Sequence, residues 1–154
     1  MKRRIELLIS ICLLVSGQKC ILAQGVHELN DSVNESILFL KDLPVLIDST
    51  NSIDFASITS SQLAKEFSIN HTYQNKAFNE HSTYWIQIPI RKKSSNLIWV
   101  MEFFDQTIDD LVIFKPEKDG NYSVHELGDH QPFRNRENLH KNFTVSLNDA
   151  QYSI

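Results

Sequence analysis

The chain has 154 residues, with 15 basic residues, 19 acidic residues and a formal net charge of −4. This length suits one domain with its own hydrophobic core. The acidic balance disfavours nucleic acid as a partner. Only four glycines are present, and none forms a phosphate-binding glycine loop or a nucleophile elbow.

The first 23 residues have the order of a secretory signal peptide. Three basic residues at positions 2–4 precede an apolar run from Leu7 to Val15, and a less apolar stretch then ends at Ala23. The apolar run is too short to cross a hydrocarbon core, which needs about 20 residues. The sequence therefore predicts an exported protein that is cleaved close to Ala23 and works at the periplasmic or extracellular face of the membrane.

Cleavage after Ala23 would leave 131 residues, with 11 basic and 18 acidic residues and a net charge of −7. Both cysteines, Cys12 and Cys20, would be removed. The exported part would therefore have no disulfide and no cysteine metal site, and would depend on packing for its stability. Residues 24–35 are polar and predict a loose leader, so we expect the ordered domain to span residues 36–154.

The first apolar segments of this domain are short. The runs Ile37–Leu40 and Val45–Ile47 are separated by Pro44 and predict two strand segments. The stretch Thr59–Phe67 predicts the only helix, because Thr59 and Gln62 lie at capping-box spacing.

From Tyr84 onward, β-branched and aromatic residues recur in short windows bounded by turn residues, which predicts strands. An Asp119-Gly120 step predicts a hairpin turn, and Pro89 predicts an edge or a bulge. Such closely spaced strands indicate an all-β sandwich or jelly roll. The five windows are Tyr84–Ile90, Leu97–Phe104, Asp109–Phe114, Tyr122–Leu127 and Asn142–Leu147.

A series of short motifs in this region carries a family resemblance. The chain from about Ile37 to Leu147 resembles the second type of extracellular sensor domain of bacterial seven-transmembrane receptors with diverse intracellular signalling modules. The matching pieces are Ser61–Phe67, Tyr84-Trp85, Trp99–Phe104 with Glu102, Asp109–Phe114, Asp119-Gly120, Gly128-Asp129, Pro132-Phe133, Arg136, His140 and Phe143.

The resemblance implies a jelly roll similar to carbohydrate-binding modules, with one short helix, that precedes a seven-helix membrane region and a cytoplasmic output module in a longer parent protein. It implies a non-catalytic sensor that binds a small extracellular ligand, either a sugar or a small anion, without a cofactor. A homodimer is left open as a further partner. Because Ala150–Ile154 reads as the start of another strand, we expect the jelly roll to be incomplete at its C-terminus.

The predicted ligand-binding residues are Arg134, Arg136 and His140 in one loop, with Tyr84 and Trp85 as an aromatic platform. Arginine can hold a carboxylate or phosphate through two parallel hydrogen bonds. Two structural alternatives stay open, since the arginines could brace their own loop and aromatic residues in strands are commonly core residues.

Three alternatives compete with the sensor. A structural or protein-interaction jelly roll would present a flat apolar patch, and a secreted glycosidase would need two carboxylates facing each other across a cleft. Scattered acidic loop residues could in principle bind calcium, but their spacing does not match a calcium-binding loop. The sequence therefore predicts no metal site and no enzymatic activity.

Overall fold

The computed structural model describes residues 6–10, 26–32, 34–72, 78–93 and 97–147. Within these ranges the protein is all-β, with one short helix, α1, at Phe55–Ile58. The strands are β1 (Glu6–Ser10), β2 (His27–Leu29), β3 (Pro44–Asp48), β4 (Ser68–Ile69), β5 (Thr83–Ile86), β6 (Ile90–Lys92), β7 (Val100–Phe103), β8 (Asp110–Pro116), β9 (Tyr122–Leu127) and β10 (Phe143–Ser146).

The strands form one large sheet and two small ones. The large sheet has the order β4-β3-β5-β1-β8-β9, while β10 pairs with β7 and β2 pairs with β6. Neighbouring strands of the large sheet are antiparallel except where β1 is involved, because β1 runs parallel to both β5 and β8. Consequently β5 and β8 point in the same direction.

The position of β1 is notable because Glu6–Ser10 lies inside the predicted signal peptide. Its backbone pairs with β5 from Glu6 opposite Thr83 to Ile9 opposite Ile86, and with β8 as far as Ser10 opposite Phe114. The rest of residues 1–23 lies outside the described residues. Cleavage after Ala23 stays a prediction.

Two apolar clusters cover the two faces of the large sheet. The inner cluster joins Leu111 and Ile113 of β8 to Phe143 and Val145 of β10, so the sheets pack face to face as a sandwich. The outer cluster is centred on Trp85 and is closed by α1 and the segment after it. The all-β sandwich is confirmed, whereas the jelly-roll connectivity stays a prediction.

The predicted strand Tyr84–Ile90 is interrupted. β5 ends at Ile86 and β6 begins at Ile90, with Pro89, which has no N–H to donate, between them. The alternation itself is confirmed, because Ile86, Ile88 and Ile90 are all buried in the inner cluster. The chain therefore changes sheets at Pro89 while it keeps one face in the core.

The helix lies earlier than Thr59–Phe67. Asp54 caps it by accepting a hydrogen bond from the Ser57 N–H at 2.8 Å, so α1 begins at Phe55 and ends before Thr59. The Thr59 hydroxyl donates back to the Phe55 carbonyl instead of capping a following turn. Only a short 3₁₀ turn, Leu63–Lys65, falls in the predicted range.

Two N-terminal segments also differ from expectation. Residues 24–35, expected as a loose leader, contain β2, which pairs parallel with β6. The run Ile37–Leu40, expected as a strand, leads into a 3₁₀ turn at Leu40–Asp42. This segment uses its apolar side chains to line a pocket rather than to extend a sheet.

Candidate functional site

A pocket of about 730 Å³ lies between β7 and the segment 34–43. Its base is formed by Ile86, Ile88 and Ile90, which also belong to the inner core cluster. The walls come from residues 98–105 and from the apolar run around Phe39. A pocket of this volume with a mostly apolar lining is typical of a small-molecule site.

The sequence around β7 accounts for the apolar wall of this pocket. The window Leu97–Phe104 is apolar on both faces apart from Glu102, a pattern expected of a central strand, but only one of its faces packs against the inner cluster. Ile98 is 72% exposed and Phe104 is 66% exposed, and both line the pocket. The predicted ligand-binding residues do not include this pocket, although the apolar pattern on both faces of the window was a signal for it.

Among the described residues, Trp99 is one of five aromatic residues that line the pocket. It is half-buried, and its backbone carbonyl accepts a hydrogen bond from the Leu147 N–H at 2.7 Å. Its indole Nε1 is buried and has no hydrogen-bond partner among the described residues. A buried donor without a partner costs free energy, which a ligand acceptor would recover only if the Trp99 ring turned to expose Nε1 to the pocket.

Glu102 connects the pocket to the loop that follows the 3₁₀ turn Phe133–Asn135. One of its carboxylate oxygens accepts a hydrogen bond from Asn142 Nδ2 at 2.6 Å and lies 3.4 Å from His140 Nδ1. The Asn142 backbone N–H also donates to His140 Nδ1 at 3.2 Å. Because Nδ1 cannot accept from Asn142 and donate to Glu102 at once, only one of these two bonds forms, and it depends on whether Nδ1 carries a hydrogen.

Arg136 braces its own loop. Its Nη1 donates to the backbone carbonyls of His140 at 2.9 Å and Lys141 at 2.7 Å. Its guanidinium lies 4.7 Å from the ring centroids of both Phe133 and Phe143. These contacts hold the loop against β10 and leave the guanidinium fewer N–H groups for a ligand.

The five predicted ligand-binding residues do not meet at one surface. Tyr84 is 2% exposed and Trp85 is 1% exposed, so both are core residues, the alternative that the sequence had left open. The Tyr84 hydroxyl accepts a hydrogen bond from the Asn79 N–H. Arg134 and His140 are exposed at the loop surface, and of the five only His140 reaches the pocket lining, through Glu102.

Charges around the pocket are mainly negative. Glu35, Glu102 and Asp105 contribute carboxylates, and Lys41 contributes the cation. Burial lowers the pKa of His27, which also lines the pocket, although the Asp42 carboxylate opposes this shift. The site therefore suits a neutral ligand better than an anion. Across the described ranges, no cluster of three His, Cys, Asp or Glu side chains could hold a metal ion.

The comparison with protein families decides the place of this sandwich among known proteins. The family model described as 7TMR-DISM extracellular 2 matches residues 41–153. The chain belongs to this family. It is therefore an extracellular sensor domain of the kind found in seven-transmembrane receptors, located at the periplasmic or extracellular face of the membrane.

Neither the curated proteins nor the solved structures contain a match to this 7TMR-DISM extracellular 2 domain. The part of the chain that the structure describes holds no helix long and apolar enough to cross a membrane.

Proposed function

We propose that this domain is a non-catalytic input module that binds a neutral small molecule with an apolar face, such as a sugar, in the pocket beside Trp99. The observation that carries the proposal is the pocket of about 730 Å³ with its apolar lining and few polar groups. A sugar ring offers an apolar C–H face for the Trp99 side chain and hydroxyls for the Glu102 carboxylate.

Binding would be passed to a membrane signalling region of a longer parent receptor. Glu102 supports this role because it touches both the pocket and the His140–Asn142 segment directly before β10. The predicted binding of a small anion by Arg134, Arg136 and His140 stays a prediction. It is less favoured by the geometry, because Arg136 already donates to two carbonyls.

The test is a thermal-shift screen of the exported chain against neutral mono- and oligosaccharides, repeated with small carboxylates. A ligand at 100 times its dissociation constant should stabilise the fold by about 2.7 kcal/mol. Trp99→Ala should abolish the sugar shift, whereas Leu139→Ala should keep it, because Leu139 is 80% exposed and lies outside the pocket.

Intrinsic fluorescence gives a second measurement on the same protein. Trp85 is fully buried, so a ligand-induced change should come from Trp99 and vanish in Trp99→Phe. A carboxylate shift that Arg136→Ala removes would instead move the site to the loop. If no compound shifts the melting temperature, the ligand proposal fails.

A protein-interaction module is the second candidate, and the apolar rim of the pocket favours it. Ile98, Phe104 and Phe39 are 72%, 66% and 58% exposed, and an apolar patch of this kind commonly marks a protein contact. Association of the exported chain that rises with concentration in sedimentation and is lost in Ile98→Ser would support this role. A monomer at all concentrations would argue against self-association.

A further inference from the structure

The place of β1 in the large sheet points beyond the ligand pocket. Glu6–Ser10 fills the position between β5 and β8, yet this segment belongs to the predicted signal peptide. Its removal on export would open a slot in the middle of the sheet. Two neighbouring strands would then expose unpaired backbone groups and an uncovered strip of the inner core.

The directions of β5 and β8 indicate how a replacement strand between them would run. β5 and β8 point the same way, because both are parallel to β1. The other neighbours in this sheet, β3 with β4, β3 with β5 and β8 with β9, are antiparallel. A strand running opposite to β5 and β8 would make every pairing of the sheet antiparallel, which is the slightly more stable arrangement.

The end of β10 lies beside one end of this slot. Lys115, near the C-terminal end of β8, reaches the Ser146 carbonyl with its Nζ at 3.4 Å. The Leu147 N–H still donates a hydrogen bond to the Trp99 carbonyl, in the layer that faces the large sheet. From Leu147 to Ala150 the chain can span about 10 Å, which equals the usual spacing of packed sheets. A chain that enters here runs antiparallel to β8.

We propose that, in the exported chain, Ala150–Ile154 occupies the slot between β5 and β8 and runs antiparallel to both. This segment has the same length as β1. Its alternation decides the faces, since Ala150, Tyr152 and Ile154 then point toward the inner cluster. The proposed register places Tyr152 opposite Ile113, so the segment pairs with residues 111–115 of β8, one residue along from the span that β1 occupies. Gln151 and Ser153 face the outer side.

The outer side of the slot favours Ser153 at this register. The rings of Trp85 and Phe114 lie on the outer side of the slot with centroids 6.3 Å apart, next to the position that Ser153 would take. Trp85 Nε1 is buried there without a hydrogen-bond partner among the described residues. Ser153 would lie opposite Val112, level with Trp85, and its hydroxyl oxygen could accept from this N–H.

The experiment places a disulfide across the proposed pair in the full chain exported to a bacterial periplasm. Val112→Cys with Ser153→Cys should form an intrachain disulfide, because opposed residues of antiparallel strands have Cα atoms about 5 Å apart. Mass spectrometry should show that residues 6–10 are absent. Glu126→Cys with Ser153→Cys is the matched control, since Glu126 lies opposite Val112 but one strand further away, and it should stay reduced.

Three results would overturn the proposal: a disulfide-linked dimer, in which a second copy fills the slot; no disulfide in a cooperatively melting variant; or an exported chain that retains residues 6–10.

Hydrogen exchange on the unsubstituted exported chain covers the case in which the cysteine variant fails to fold. The β5 and β8 amides should be protected in this chain and should exchange at least tenfold faster after deletion of residues 150–154. Equal exchange rates would contradict the proposal.

Discussion

Gly128 shows how one residue constrains the turn after β9. Its φ is +119°, and a Cβ at this position would press against the Asp109 carbonyl. Gly128→Ala therefore needs both a strained backbone and a shift of the neighbouring chain, and should destabilise the fold by about 2 kcal/mol or more. Urea unfolding monitored by circular dichroism would measure the loss.

Gly120 provides the matched control for this prediction. It also has a positive φ, +85°, but no atom lies within 4 Å of the added Cβ. Gly120→Ala should cost about 1 kcal/mol, from backbone strain alone. If the two variants lose the same stability, the close approach of Gly128 to Asp109 has no energetic role.

At the scale of elements, Arg136 decides whether the loop between β9 and β10 is held in place. Arg136→Ala removes two hydrogen bonds to backbone carbonyls and the contacts with Phe133 and Phe143. We expect a loss of about 1 kcal/mol, which corresponds to a fall of about 4 °C in melting temperature for a domain of this size. Differential scanning calorimetry would check it.

Arg134 provides a control that separates the bracing role of Arg136 from the general effect of removing a positive charge. Arg134 is exposed, so Arg134→Ala should change stability by less than about 0.5 kcal/mol. Equal losses in the two variants would contradict the bracing role of Arg136. Binding of a neutral ligand in the pocket should survive both substitutions.

For the whole molecule, acid should reduce stability in two pH ranges. Burial lowers the pKa of His27 and of His125, and the Lys115 charge adds to the shift at His125. Burial raises the pKa of Asp48, but hydrogen bonds from Thr50, Ile53 and Ser52 outweigh it and hold this pKa below its ordinary value.

In both cases the unfolded chain binds more protons than the folded chain, so stability falls as pH falls. The histidine contribution is complete above the unfolded pKa of about 6.5 and is lost as pH falls below it. The Asp48 contribution is lost only below about pH 3.8. Melting temperatures between pH 8 and pH 3 should therefore decline in two stages.

Two substitutions test which residue causes each stage of the decline in melting temperature. His125→Gln should flatten the decline between pH 7 and pH 5. Asp48→Asn should flatten the decline below pH 4 and cost about 1–2 kcal/mol at neutral pH, because one acceptor for the Ile53 N–H is lost. A pH profile unchanged in both variants would show that other groups control acid stability.

Local signals in the sequence determined the strands and their inward faces. Phe143, Val145 and Leu147 are 0%, 1% and 4% exposed, as their alternation predicted, because a strand puts every second side chain on one face. The Asp119-Gly120 turn between β8 and β9 is confirmed by the positive φ of Gly120 and by the antiparallel pairing. The resemblance to an extracellular sensor family, read from short motifs, is also confirmed.

Only the tertiary structure decided which polar and aromatic residues meet. Asp54 rather than Thr59 caps the helix. Tyr84 lies in the core because strands of both layers cover it, and Trp85 is buried because α1 and the segment after it cover it. The pocket beside Trp99 arises where the segment 34–43 faces β7, a contact between residues some 60 positions apart in the sequence. Periodicity reports which way a side chain points from its own strand, whereas a pocket depends on distances between strands, which no local pattern encodes.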